Sequence, residues 1–321
     1  MKRYKALGIL LSAALLAVVL YRADLSKVAA ALRGADYRYL PLVVVIYLTS
    51  FLLRSWRWGI LLRPVKPGIS FGRLFSTIMI GWTANNLLPA KAGEFVRAYL
   101  IGKRESISKS ASLATIVVER ILDGFILLIF LFASMLLIAN PLATLDFGLY
   151  VLAAFMVILA VLAIMTFKKD LVLAYFKKAV SIFPTRFSAS VIRLFQSFLE
   201  GLGSLRDARL ALKGLALSGG LWAIEALVYY LILRSFGLAL PVYAAIVLLA
   251  VINVGVVLPS APGALGVFQF FCVLGLSFFA VDESTALGLS VVLQSVMWFP
   301  VTLLGLGFLS RIPAELRFRT K

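Results

Sequence analysis

Six stretches of about twenty apolar residues punctuate the chain, at roughly 6–21, 39–62, 110–139, 147–167, 214–236 and 284–309. A bilayer core offers no water to backbone N–H and C=O groups, so only helices or closed barrels cross it. Unbroken apolar runs of this length select helices over short alternating strands. Of the 321 residues, 62% are hydrophobic and 14% charged, with a mean hydropathy of +1.03. Soluble domains hold about 45–50% apolar residues. The expected fold is an all-α polytopic membrane protein, a single transmembrane domain over residues 1–321.

The same composition narrows the chemistry. The chain has one cysteine, Cys272, and no histidine, which argues against an internal disulfide, a zinc or haem site, and His-based acid–base chemistry. No P-loop or other nucleotide fingerprint occurs. We therefore expect no cofactor and no metal, and a transporter rather than an enzyme.

A net charge of +18 would suit a nucleic-acid binder, but its distribution points to a membrane. With the N-terminus in the cytoplasm, 24 of the 32 Lys and Arg fall on the cytoplasmic side, including those from Arg54 to Arg73 and those along 168–213. Arg22, Lys27, Arg33, Arg38 and Arg234 fall outside, and Lys91, Arg97 and Arg120 lie at membrane depth. This is the positive-inside pattern, with both termini cytoplasmic in a cell membrane and anionic lipids as surface partners. Nucleic acid is not needed as a partner. The first span leaves through VVLYRADLSK without a small-x-small cleavage site, so it reads as a retained anchor. Residues 168–210 carry Phe187, Val191, Phe195 and Phe198 at helical spacing among Lys and Arg, as in helices lying on the cytoplasmic leaflet. Trp56, Trp58 and Trp82 read as interface-belt residues.

Two segments, 71–102 and 240–280, are apolar but interrupted. In the first, LLPAKAGEF places Pro89 and Gly93 four residues apart; in the second, VLPSAPGALGV repeats the spacing at Pro259 and Gly263. LLRSW at 52–56 finds an echo in ILRSF at 232–236, and ASLATIVVERILD at 111–123 in ALGLSVVLQSVMW at 286–298. Three echoes in one order argue for a duplication, repeat 1 over about 39–139 and repeat 2 over about 214–310. Chance resemblance between low-complexity helices is the alternative. The flanking spans run in opposite directions, so the broken hairpins should be re-entrant from opposite faces, as in inverted-repeat transporters. A helix over 90–102 reaches only about 20 Å, short of the roughly 30 Å core. The segments 240–258 and 263–280 are each almost long enough to cross, which leaves the second hairpin open between entering and crossing.

Non-helical backbone at membrane depth needs protein or water to satisfy it, so the breaks should line a polar cavity. Lys91, Glu94 and Arg97 follow the first break, with Glu94 and Arg97 spaced to pair, and Glu119, Arg120 and Asp123 share the next span. Such a mixed cluster suits a zwitterionic or anionic headgroup, with Arg97 and Arg120 presenting planar donor forks to phosphate. A purely structural salt-bridge network is the alternative. Glu225 is a further intramembrane acid, a gate or a locally satisfied carboxylate. Asn85, Asn86 and Asn253 precede the breaks and would cap backbone or bond a headgroup. PGALGVFQF would either offer amides to an anion or serve close helix packing.

At these residues the chain resembles a known family. LLPAKAGEFVRAYL, then SASLATIVVERILDG, then LPSAPGALGVFQ are similar to the flippase-like membrane domain of lysylphosphatidylglycerol synthases, the multiple peptide resistance factor type. The resemblance runs from about residue 5 to 310, and stand-alone relatives occur in bacteria and archaea. Its most specific parts are Gly93, Glu94 and Arg97, and Glu119, Arg120 and Asp123. It implies a flippase moving a phospholipid or lipid-linked compound between leaflets, with a homo-oligomer or a separate lipid synthase as protein partner. The synthases carry an aminoacyl-transferase domain after the membrane part, whereas this sequence stops at Lys321, so a stand-alone form is expected. Where that family's second break leads toward an acid, this chain has Phe268–Gln269. A membrane-embedded transferase using Glu94, Glu119 or Asp123 as a base, and a non-transporting scaffold for lipid synthesis, are the competing classes.

Overall fold

A computed structural model describes residues 2–88, 92–137, 142–181 and 185–313. Helices carry nearly all of this chain: α1 (Lys2–Arg22), α2 (Leu25–Gly34), α3 (Leu40–Leu62), α4 (Phe71–Leu87), α5 (Gly93–Glu105), α6 (Lys109–Leu137), α7 (Leu142–Phe167), α8 (Lys169–Val180), α9 (Thr185–Gly201), α10 (Ala208–Ser235), α11 (Val242–Gly255), α12 (Val267–Ser277) and α13 (Glu283–Ser310). Among the described residues there is no strand. The fold is all-α and polytopic, and each expected span falls on a helix of α1, α3, α6, α7, α10 or α13.

Local chemistry sets the helix ends. Asp24, Asp207 and Asp282 each accept hydrogen bonds from the first-turn amides of α2, α10 and α13. Between the first two expected spans, where the sequence marks only outer charges, the structure holds α2, bent by 87° from α1. The Asp24 cap starts this helix, and the Asp24 amide donates to Ser284 Oγ at 3.0 Å, tying it to the head of α13. Leu32 of α2 packs on the core.

Two helical hairpins interrupt the spans. In the first, α4 and α5 have 17 and 13 residues; in the second, α11 and α12 have 14 and 11. At 1.5 Å per residue the second pair is about 21 and 16 Å long, too short for either helix to cross a roughly 30 Å core. Pro89 and Lys91, at the first break, lie outside the described residues. The second break contains Pro259, and Gly263 and Gly266 take φ of +67° and +82°, the left-handed region open to glycine. Helix α1 seals this break: Ser12 Oγ accepts from the Ala261 amide at 2.8 Å.

Helix α13 gives both hairpins a common ruler. Phe75, low on α4, stacks edge-on against Phe308, Thr83 Oγ1 donates to the Val301 carbonyl at 3.1 Å, and Asn86 Nδ2 donates to Thr302 Oγ1 at 2.9 Å. From the other end, Cys272 lies at the Ala286 carbonyl and Gln269 at Gln294, while Gly263 touches Trp298. The hairpins therefore extend from opposite ends of α13 and their tips meet near its midpoint. Pro300 sits inside α13 at that level, where its missing N–H leaves a gap in the ladder.

The order long, short, short, long occurs twice, in α3–α6 and in α10–α13. Helices α3 and α10 run antiparallel, with Arg54 at Glu225 and Arg57 at Ser218. Helix α13 packs on α4 as α6 packs on α11. The core between them holds Tyr47, Phe51, Trp58, Ile78, Leu248 and Leu289. A second apolar cluster docks α9 onto α6 through Leu199, Leu202, Ala114 and Val118.

Candidate functional site

The first hairpin closes so tightly that only glycine fits its contact point. A Cβ on Gly93 would lie 1.8 Å from the Gly81 carbonyl oxygen, and one on Gly81 would lie 2.2 Å from Arg97 Cγ. Asn85 Oδ1 accepts from the Gly93 amide at 2.8 Å, satisfying a first-turn donor of α5. This packing sets Glu94 and Arg97 against α6.

There the charges sort into two layers. In the inner layer, Arg97 Nη2 donates to Glu119 Oε2 at 2.7 Å, and its guanidinium lies 4.3 Å from the Trp58 ring centroid. Arg57 Nη2 donates to Glu119 Oε1 at 3.4 Å and to Asp123 Oδ2 at 3.2 Å, while its Nη1 meets Asp123 Oδ1 and Ser218 Oγ. Trp222 Nε1 donates to Asp123 Oδ1 at 3.1 Å. All four charged groups are at most 3% exposed. In the outer layer, Arg54 pairs with Glu225, and Arg120 Nε lies 3.3 Å from Glu94 Oε1. Arg120 Nη1 also lies 3.8 Å from Asp123 Oδ2, which joins the layers. Four carboxylates thus face four guanidiniums. Buried charges persist in such surroundings when paired and hydrogen-bonded.

The outer layer forms one wall of a cavity of about 610 Å³. Arg54, Glu225, Glu94 and Arg120 line it together with Asn85 and Asn86. Its aromatic flank is Tyr47, Trp82, Trp222 and Trp298. The rim, at the hairpin tips, is apolar: Leu88, Val257 and Leu258 line it and are 45%, 72% and 41% exposed. Arg54 sits over the Trp82 ring at 4.6 Å, and its buried Nε and Nη1 have no acceptor among the described residues.

Several expectations need correction. Arg97 does not pair with Glu94; Glu119 and Arg120 on α6 take one each. Arg97, Glu119 and Asp123 lie behind the cavity wall rather than on it, while Glu94, Arg120, Glu225 and Asn86 are on it. Glu225 is both locally satisfied, by Arg54, and cavity-lining. Arg54 and Arg57, counted with the cytoplasmic cations, are 3% and 0% exposed inside the core. Trp58 is fully buried and donates to Thr115 Oγ1 at 3.0 Å, and Trp82 lies on the cavity; neither is a belt residue.

Arg54 and Arg57 are the residues sequence reasoning missed. Their signal was present: the apolar run of α3 continues through Ile60, Leu61 and Leu62, so both lie well inside the helix. No acid nearby in sequence pointed to their partners, which come from α6 and α10.

The second break is built with neutral groups. Gln269 Oε1 accepts from the Gly266 amide at 2.7 Å, Gln269 Nε2 reaches Gln294 Oε1, and Gln294 Nε2 donates to the Gly263 carbonyl at 2.7 Å. Two amides link the second hairpin to α13 here, as Arg97 and Glu119 link the first hairpin to α6. The Gly266 amide is occupied, and a Cβ there would meet the Ser12 carbonyl at 2.1 Å, so this glycine serves packing with α1. Asn253 Nδ2 bonds the Leu249 carbonyl of its own helix. Among the described residues no group of three His, Cys, Asp or Glu side chains is placed to hold a metal.

The family model of the lysylphosphatidylglycerol synthase TM region matches residues 5–305. Among curated proteins, the chain is similar to a UPF0104 membrane protein of Methanothermobacter thermautotrophicus, 26% identical over 96% of this chain and 95% of the relative. It is 28% identical to a UPF0104 membrane protein of Pyrococcus horikoshii, over 95% and 96% of the two chains. Glycosyltransferase AglD of Haloferax volcanii is 30% identical over 93% of this chain, which spans 52% of that relative.

Proposed function

The chain belongs to the lysylphosphatidylglycerol synthase TM region family, and from that premise we propose that it is a lipid translocase. It moves a phospholipid or lipid-linked headgroup between leaflets without changing it. The observation that carries this reading is the cavity's mixed lining: charged Arg54, Glu225, Glu94 and Arg120 share it with the exposed apolar residues Leu88, Val257 and Leu258 at the hairpin tips. A headgroup fits the wall while acyl chains leave over the rim into the bilayer. Arg120, on the cavity and partly exposed, supplies donors for phosphate, and the buried Arg54 guanidinium adds positive charge to the same wall.

The fold supports the same reading. Hairpins too short to cross, reaching from opposite ends of α13, are what two re-entrant elements of an inverted repeat would give. The doubled element order and the matching pairs α13–α4 and α6–α11 agree with repeats over about 39–139 and 214–310. The proposed orientation, with both termini cytoplasmic, keeps the basic segments inside even without Arg54 and Arg57.

A second reading rests on the relative named as a glycosyltransferase: a membrane-embedded transferase acting on the same lipid. Native mass spectrometry of the protein released from its membrane tests the cavity assignment. A retained lipid with a phosphate-bearing headgroup, lost in Arg120→Ala, is expected. No retained lipid, or retention unchanged in the variant, overturns it; a covalently altered lipid favours the transferase.

A further inference from the structure

The central cavity offers more than charge. Asn85 and Asn86 at the end of α4, Asn253 near the end of α11 and Trp298 of α13 also line it, all partly buried. The fold uses one half of each asparagine amide and thereby fixes which half is left. Asn85 Oδ1 accepts from the Gly93 amide at 2.8 Å, which leaves its Nδ2. Asn86 Nδ2 donates to Thr302 Oγ1, whose own proton goes to the Trp298 carbonyl at 2.6 Å, so Asn86 keeps its Oδ1. Asn253 Nδ2 donates to the Leu249 carbonyl at 2.8 Å, and again Oδ1 is left. Among the described residues these three ends, one donor and two acceptors, have no hydrogen-bond partner.

The acids of the lining are different, because each is already matched. Glu225 holds the Arg54 guanidinium and Glu94 that of Arg120. The ring faces that would attract a cation are served as well: Arg54 lies 4.6 Å from the Trp82 centroid and 6.0 Å from that of Trp222. An amine on a headgroup would meet two arginines and acids that are already paired. A hydroxyl donates once and accepts twice, so it finds both kinds of partner in the uncommitted amides. Trp298 adds apolar surface beside them. Its carbonyl lies 3.4 Å from Asn86 Nδ2, and its ring meets one other aromatic, Phe299, edge-on at 4.9 Å. Amides for hydroxyls and an indole for C–H groups complement a ring polyol, polar at its edge and apolar on its face. The cavity's volume of about 610 Å³ falls in the roughly 300–1,000 Å³ range of small-molecule sites, which leaves room for such a ring beside a phosphate.

We propose that the cavity selects a lipid whose phosphate carries a neutral ring polyol, a sugar or an inositol. Asn85, Asn86 and Asn253 bond its hydroxyls, and Trp298 covers its apolar face. The inference rests on the translocase reading for the lipid itself and adds what lies beyond the phosphate. It sets a cationic headgroup aside as the preferred cargo.

Calorimetric titration of the purified full chain, in a detergent without a sugar headgroup, tests this. Short-chain phosphatidylinositol is compared with short-chain phosphatidylethanolamine, and a short isoprenyl phosphohexose with the bare isoprenyl phosphate. At least one polyol probe should bind about tenfold or more tighter than the control on the same anchor. Preference for the inositol lipid or for the phosphohexose identifies the source of the polyol. Asn253→Leu loses one bond within α11 and should narrow the preference about threefold or more. Should it fail to fold, Asn253→Ala must narrow it instead. Equal binding of polyol and control probes, tighter binding of the ethanolamine lipid, or a preference undiminished in a folded Asn253 variant overturns the proposal and leaves the translocase reading standing. Binding of none of the four probes overturns both.

Discussion

Arg97 on α5 donates to Glu119 on α6 at 2.7 Å, and not to Glu94, one turn away on its own helix. The bond fastens the first hairpin to the following span, and it does so behind the cavity wall. Arg97→Ala leaves buried Glu119 with only its longer, 3.4 Å contact to Arg57, a loss of up to about 3–5 kcal/mol. Arg97→Lys keeps a charge but loses the planar fork over Trp58. Thermal unfolding in detergent should rank the wild type above Arg97→Lys and Arg97→Lys above Arg97→Ala. Unchanged stability in Arg97→Ala would mean that the bond does not hold the hairpin.

Gly93 and Gly81 set the hairpin's closeness. Gly93→Ala would drive a methyl into the Gly81 carbonyl, backbone that has no rotamer to yield, so α4 and α5 must separate. Overpacking of this kind costs about 1–3 kcal/mol or more. Gly307→Ala on α13 meets nothing within 4 Å and is the matched control. Equal unfolding midpoints for the two variants would contradict the packing described.

Arg54 and Glu225 join α3 to α10 across the two halves. Arg54→Gln leaves a buried carboxylate unpaired, and Glu225→Gln leaves a buried guanidinium unpaired, each destabilising. The double variant removes both charges and should recover stability, with a coupling energy of about 0.5–3 kcal/mol. Its stability regained with lipid retention still lost would separate the pair's structural part from its ligand-facing part. Strict additivity of the two substitutions would deny the pairing.

Glu105, at the foot of the first hairpin, responds to pH. Burial pushes its carboxyl up, but hydrogen bonds from Lys66 and Arg73 outweigh this and hold it below the ordinary 4.5. A lowered folded value contributes stability above the unfolded value and loses it as pH falls through the folded one. The difference in unfolding midpoint between wild type and Glu105→Gln should be largest near neutrality and shrink below about pH 4. A constant difference across pH would mean that Lys66 and Arg73 do not hold the Glu105 carboxylate in its charged form.

Much of this architecture was legible in the sequence because bilayer physics leaves few options. Long apolar runs have to be helices, and Pro259 and Gly263 mark a real break between α11 and α12. The pairing was not legible. Glu94 and Arg97 sit at ideal helical spacing, yet tertiary packing gives each a partner on α6, because the Gly81–Gly93 contact turns that face of α5 toward α6. Arg54 and Arg57 looked like the basic edge of a span, since a sequence shows where a charge lies along a helix but not which helix lies beside it. Trp58 resembles an interface residue in sequence for the same reason, whereas the fold buries it under the Arg97 guanidinium. The short α2 was not legible as a span because its ten residues reach only about 15 Å as a helix, half of a membrane crossing.

Transbilayer movement measured in proteoliposomes tests the central claim most directly. Purified protein is reconstituted with a phospholipid labelled on its headgroup, and the label's accessibility and the lipid's mass are followed together. Translocation predicts faster movement than in protein-free vesicles with unchanged lipid mass, and a strong slowing in folded Arg120→Ala, whose guanidinium lines the cavity. No acceleration for any membrane phospholipid or lipid-linked compound tried, or acceleration undiminished in folded Arg120→Ala, would contradict it.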